Sequence, residues 1–248
     1  MKILKKVKDG HKRKIYFCGI KILSYKKKGK NFVEFSDYRD MIWNIFEKYG
    51  YQYSLKHKGC YDGDANPIPW YTYPAIEYLS QLDYSNKRVF EYGSGNSSLF
   101  WSKRAKEVIS VESSSQWYEL IKSNNKGNLS LSLKEDVQSY SQEINNYENF
   151  DIIIIDGKWR KECAIEAINK LNTGGMIIFD NSDRASHIQE YVDATNLLRE
   201  NGFFQIDFYG FTPLNSYTAC TSIYFKSDFN IKTKSDIQPV RGITGIEY

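Results

Sequence analysis

The sequence is poor in cysteine, histidine and proline, with 4 Cys, 3 His and 5 Pro in 248 residues. Cys18, Cys60, Cys163 and Cys220 stand far apart and form no CxxC pair. A disulfide framework and a structural zinc site are therefore not expected, and the usage fits a reducing cytoplasm. No apolar run reaches the about 20 residues that a membrane-spanning helix needs. No small-residue cleavage site follows the first apolar segment, so no signal peptide is read. With 16 Gly, the collagen-like and low-complexity classes are excluded. What is present is the composition of a folded globular chain: 41% hydrophobic and 16% aromatic residues, in a length that supports one full domain and an appendage.

Charge is unevenly placed. The first 30 residues hold 12 of the 34 Lys and Arg but only Asp9 of the 30 acids, so this segment carries +11 and the rest −7. Residues 1–30 read as a basic arm that attracts anionic lipid head groups or, less favourably beside an acidic body, nucleic acid phosphates. Within it, Ile15–Leu23 is a short apolar segment between lysine clusters. It resembles N-terminal stretches of bacterial enzymes of surface-polysaccharide assembly. The charge of the arm and the cysteine usage together point to a cytoplasmic protein, peripheral at the inner membrane face.

Residues 31–85 read as a helical and loop cap. Met41, Ile42, Ile45, Phe46 and Tyr49 recur at helical spacing over 37–49, with Gly50 as a stop. Residues 50–73 have no period, as in a lid or binding loop. Pro74 suits the first turn of a helix to about Leu82.

From residue 86 to 226 strand and helix alternate. Strands are expected at 88–92, 108–112, 129–133, 151–156, 176–180, 203–209 and 220–225, with helices between them. Ser114 or Ser115 caps one helix, Gly174 follows another, and Ser186 with Gln189 forms a capping box for a third. The four consecutive isoleucines, Ile152–Ile155, mark a strand buried on both faces. The pattern specifies an α/β, Rossmann-like, doubly wound and mainly parallel seven-stranded sheet. Residues 227–248 read as a polar tail.

Ligands of such sheets sit beyond the carboxyl ends of the strands. After the first strand the chain reads Glu91-Tyr92-Gly93-Ser94-Gly95-Asn96. The glycines permit a tight turn and close backbone approach. A dinucleotide fingerprint would carry a third glycine where Ser98 stands. Glu91 would oppose a pyrophosphate but suits an ammonium, and Glu112 can accept both hydroxyls of a ribose. A cationic adenosine cofactor is favoured over NAD.

This stretch resembles the class I S-adenosylmethionine-dependent methyltransferases. Glu91, Gly93 and Gly95 match their acidic-x-Gly-x-Gly motif, and Glu112 their acid after the second strand. The resemblance implies S-adenosylmethionine held by Glu91, Gly93, Ser94, Gly95, Asn96, Glu112 and Asp136, the last on the adenine side. It also implies that the last two strands form an antiparallel C-terminal hairpin.

Two further strand ends carry Asp156 and Asp180-Asn181. Adjacent parallel strands would bring these oxygens together as ligands suited to Mg²⁺. The triplet resembles the metal site of the catechol-type O-methyltransferases, although Trp159 stands where that family has its lysine base. Lys158, one position earlier, becomes the candidate base, with Asp156, Asp180 and Asn181 positioning the acceptor. Lys158, Arg160 and Arg184 form a basic cluster suited to an acidic substrate. Trp70, Tyr71 and Tyr73 are candidate stacking residues. The expected function is O-methylation of a sugar, glycan or related small acceptor. The alternatives are an RNA methyltransferase tethered by the arm and a non-catalytic module of the same fold at a membrane assembly.

Overall fold

A computed structural model describes residues 4–9, 12–17, 20–26, 35–125 and 127–245. The chain forms two compact units, Met1–Trp43 and Asn44–Tyr248.

In the first unit the basic segment carries regular structure. Strands β1 (Leu4–Asp9), β2 (Lys12–Phe17) and β3 (Ile20–Lys26) form an antiparallel three-stranded sheet in chain order. Val7, Ile15, Tyr16, Phe17, Ile20 and Tyr25 supply the branched and aromatic residues that favour strands, without a strict period of two. Helix α1 (Phe35–Trp43) completes the unit. The apolar stripe expected over 37–49 is not buried there: Met41, Ile42 and Trp43 are exposed.

The second unit opens with a π-helical turn, Asn44–Lys48, and helix α2 (Tyr51–His57), which lies inside the stretch read as aperiodic. Helix α3 (Tyr73–Ser80) begins with Pro74 in its first turn, where a missing N–H costs nothing. The main sheet is built from β4 (Arg88–Tyr92), β5 (Glu107–Glu112), β6 (Leu129–Leu133), β7 (Phe150–Ile155), β8 (Leu171–Asp180), β9 (Phe204–Phe211) and β10 (Thr218–Phe225). Its order is β6-β5-β4-β7-β8-β10-β9. Strands β4 to β8 run parallel, and β10 is antiparallel to both β8 and β9. Helices α4 (Asn96–Ser102), α5 (Ser115–Asn124), α6 (Val137–Ser141), α7 (Arg160–Lys170) and α8 (Gln189–Glu200) make the connections. This is the Rossmann-like doubly wound arrangement with an antiparallel C-terminal hairpin.

The isoleucine run explains why β7 is central. Ile152 and Ile154 enter the core on one face, Ile153 and Ile155 the core on the other, and all are fully buried. Each such side chain contributes roughly 1.5–3 kcal/mol.

Local expectations failed in two places. Ser186 and Gln189 form no capping box, because the Ser186 hydroxyl bonds His187 Nδ1 at 2.8 Å and α8 starts from Ile188 without a side-chain cap. The strand expected from 176 begins at Leu171, directly after α7, so Gly174, past the helix end as expected, lies within β8 with φ +79°. Its N–H donates to Asp228 at 3.1 Å. The tail after β10 is tied down here and again by Asp83 N–H to Lys232 O at 2.8 Å, with Ile231 buried.

Candidate active site

A cleft of about 1740 Å³ opens over the carboxyl ends of β4, β5, β7 and β8. The chain order reverses between β4 and β7, which is where ligands bind in such sheets. Gly93–Ser97, Glu112–Ser114, Asp156–Lys158 and Asp180–Asn181 line it, joined by Lys58–Tyr61, Trp70 and the turn residues Leu214, Asn215 and Tyr217.

The two glycines do different work. Gly93 has φ +94°, and a Cβ there would stand 3.0 Å from the backbone of Gly157. It lets the turns after β4 and β7 pack backbone to backbone. A Cβ on Gly95 would meet only Ser97 Oγ, at 3.7 Å. Its surface is left open to the cleft, a cradle that any side chain would fill.

Glu112 holds this wall together. Its Oε2 accepts from Ser94 N–H at 2.7 Å and Ser94 Oγ at 3.1 Å, and its Oε1 from the N–H groups of Ser113 and Ser114 at 2.7 and 2.8 Å. The carboxylate still borders the cleft, and the Ser94 hydroxyl is a rotor that can yield its place to a ligand hydroxyl. Asn96 donates from Nδ2 to Cys60 O at 2.5 Å, fastening the loop after α2 to the glycine turn.

Glu91 is placed differently from the expectation. It is fully buried beneath the turn and does not line the cleft. Ser98 Oγ donates to Glu91 Oε2 and accepts from Gly95 N–H at 3.2 Å, so the acid supports the turn from below. Among the described residues Glu91 Oε1 has no hydrogen-bond partner. Burial pushes its pKa up to about 8. Asp136 is also outside the cleft lining. Its carboxylate caps α6, accepting from Ser139 N–H at 2.9 Å.

The opposite wall centres on Arg160, which sequence reading placed in a substrate-binding cluster. Arg160 is buried at 4% exposure and does not line the cleft. Its guanidinium donates to Ile155 O at 3.3 Å, Gly157 O at 3.0 Å, Asp180 O and Asp156 Oδ1 at 3.2 Å, and it lies over the Tyr191 ring. It clamps the ends of β7 and β8. The signal was present as an acid and a base four apart, Asp156 and Arg160, at the start of a helix. Arg184 and Lys158 do line the cleft, with Arg184 donating to Tyr191 OH at 3.0 Å.

Asp156, Asp180 and Asn181 are brought together at this wall. Asp180 is buried, and its oxygens accept from Thr221 Oγ1 at 2.6 Å and Asn181 Nδ2 at 2.7 Å. Burial raises both carboxyls. Asp180 is lifted further by the neighbouring Asp156, whose rise is opposed by Arg160. Asp156, held by Arg160, is the carboxyl of the pair that is partly exposed at the cleft. These donors do not fit a divalent cation. The Asp156 charge faces a guanidinium, and both Asp180 oxygens are engaged by neutral donors, whereas Mg²⁺ demands free carboxylate oxygens in near-octahedral array.

Of the expected stacking residues, only Trp70 borders the cleft. Tyr71 and Tyr73 are buried in the core. Cys60 lies in the stretch read as a lid or binding loop, and Asn215 and Tyr217 in the connection between the last two strands, read as facing the substrate side; all three line the cleft, though none was singled out as a residue.

No family model and no curated protein matches the sequence. Solved structures share the fold. A precorrin-6y C5,15-methyltransferase from Geobacter metallireducens is 16% identical with a TM-score of 0.50, over 62% of this chain and 88% of that one. A candidate O-methyltransferase from Klebsiella pneumoniae is 15% identical, also with a TM-score of 0.50, over 61% and 76%. The likeness is one of fold, a Rossmann-like doubly wound sheet closed by an antiparallel hairpin. Among the described residues no helix is long and apolar enough to cross a membrane.

Proposed function

We propose that the chain is an S-adenosylmethionine-dependent methyltransferase acting on an oxygen of a sugar, a glycan or a related small acceptor. The observation that carries the cofactor is the glycine turn. Gly95 leaves an open cradle beside Glu112, at the fold's ligand-binding edge. These residues fit an adenosine bearing a positive charge: hydroxyl acceptors at Glu112, a bare backbone at Gly95 and the Asp156 carboxylate across the cleft. Bound there, S-adenosylmethionine supplies an already activated methyl group. The protein's share is then alignment and proton removal. Lys158, with Asp156 also at the cleft, is our candidate to take the acceptor proton. The acceptor class is supported by Trp70, Asn215 and Tyr217, an aromatic and amide lining of the kind that stacks on and hydrogen-bonds to sugars.

Calorimetric titration with S-adenosylmethionine tests the reading. Wild type is expected to bind at micromolar strength. Glu112→Ala should weaken binding by about tenfold or more. Gly95→Val should abolish it while leaving the melting temperature near wild type. Absence of binding by folded wild type would remove the proposal. A positive result leads to an acceptor screen with and without Mg²⁺.

A further inference from the structure

We infer that the N-terminal three-stranded sheet is a docking surface for an anionic lipid bilayer. The argument begins with register. Residues directly opposite in antiparallel strands share a face. The pairs Leu4–Phe17 and Phe17–Ile20 form one row, and Lys6–Ile15 and Ile15–Leu23 the next. Lys8 lies opposite Arg13, and Arg13 opposite Tyr25, in the third row of the same face. Strict alternation along β3 would put Ile20 and Leu23 on opposite faces. The register shift opposite Ile15/Tyr16 inserts Ile22 as an extra residue and returns Leu23 to the side of Ile20. One face thus gathers an apolar end, with lysines in the rows behind it.

That apolar end is open. Leu4, Phe17, Ile20 and Leu23 are 53%, 50%, 71% and 50% exposed. The three strands carry 8 Lys and Arg against Asp9 alone. Asp9 is itself paired with Lys14 at 2.7 Å. The opposite face, with Lys5, Lys12, Lys14 and Lys21, is basic as well.

Charge and apolarity together select the partner. Basic residues near an anionic leaflet each add attraction, and side chains reaching the acyl boundary add a second signal, the combination that holds a protein on a membrane. A nucleic acid would use the lysines but leave Leu4, Ile20 and Leu23 without an environment better than water. The sheet therefore lies with its apolar end in the head-group region and its lysines on lipid phosphates.

Co-sedimentation of the full chain with vesicles tests this. Phosphatidylglycerol mixed with phosphatidylcholine should retain the protein, and phosphatidylcholine alone should not. Binding should fall steeply with salt. Replacing Lys6, Lys8 and Arg13 together by Gln should weaken it on the order of 100-fold, from roughly fivefold per charge. Ile20→Ser and Phe17→Ser should each cost roughly tenfold. None of these residues lines the cleft, so S-adenosylmethionine binding should stay at the wild-type value in every variant. Phe17→Trp should gain fluorescence quenching by brominated lipid over the wild-type background, a readout independent of the losses. Equal binding to neutral vesicles, indifference to the serine variants, absence of added quenching, or preference for duplex RNA over vesicles would each overturn the inference.

Discussion

The two walls of the cleft are organised by opposite charges. On the β4–β5 side a carboxylate, Glu112, gathers four donors from Ser94, Ser113 and Ser114. On the β7–β8 side a guanidinium, Arg160, gathers three backbone carbonyls and Asp156. Both bind loops to strand ends, yet only Glu112 also borders the cleft. The difference separates two kinds of charge: one that borders the cleft and organises its own wall, and one that organises a wall for others. Asp156, held against Arg160 and 23% exposed, inherits the chemistry on the second side.

The sharpest way to break this comparison is Arg160→Met. It leaves a carboxylate and three carbonyls without their shared donor. Removing one partner of a buried ion pair costs about 3–5 kcal/mol, read as a lowered urea midpoint. Arg160→Lys should recover little, because one ammonium cannot reproduce a planar fork of donors. Adding Asp156→Asn to Arg160→Met should restore part of the loss. A variant as stable as wild type would mean that the β7–β8 wall stands without its hub.

The next test lies under the other wall. Glu91 has its pKa raised by burial from 4.5 to about 8. The folded state therefore holds a proton that the unfolded state has released between those values, so stability is full at low pH and declines as pH rises through about 8. Glu91→Gln should flatten that decline and make the protein more stable than wild type above it, measured by denaturation across the range. Since Ser98 Oγ can still donate to the amide oxygen, the glycine turn should keep its shape and its affinity for S-adenosylmethionine. A steep fall in affinity would return Glu91 to direct contact with the ligand.

Much of this was legible in sequence, for physical reasons. The isoleucine run has nowhere to go but between two layers. Gly93 and Gly95 follow a strand and open a helix, and such a turn fixes where the cleft lies. Ser114 caps α5 from its own position, accepting from Trp117 N–H at 3.5 Å. What sequence could not supply was depth. Glu91 and Glu112 look alike as acids flanking the same turn, but one points beneath it and one beside it. Arg160 and Lys158 look alike as bases after β7, but one is buried and the other borders the cleft. Thr221, which engages Asp180, stands 41 residues away on an antiparallel neighbour. In the first unit, charge was evident and the strands were not, because lysine-rich segments carry little strand propensity until register puts their apolar residues on one face.

The smallest expected effect concerns Asp136, matched by resemblance to an adenine-side acid and found as a helix cap. Its two roles separate cleanly under Asp136→Ala. Loss of an N-cap contact on a short helix should lower the melting temperature by about 2–4 °C. Because the carboxylate accepts from Ser139 N–H and lies outside the cleft lining, affinity for S-adenosylmethionine should stay within about twofold of wild type. Asp136→Asn, which keeps a capping oxygen, should recover the melting temperature. If instead affinity falls by about tenfold in both variants while stability holds, the cleft extends past β6 when ligand is bound. The β4–β5 wall would then have a second acidic contact that the ligand-free geometry does not bring to it.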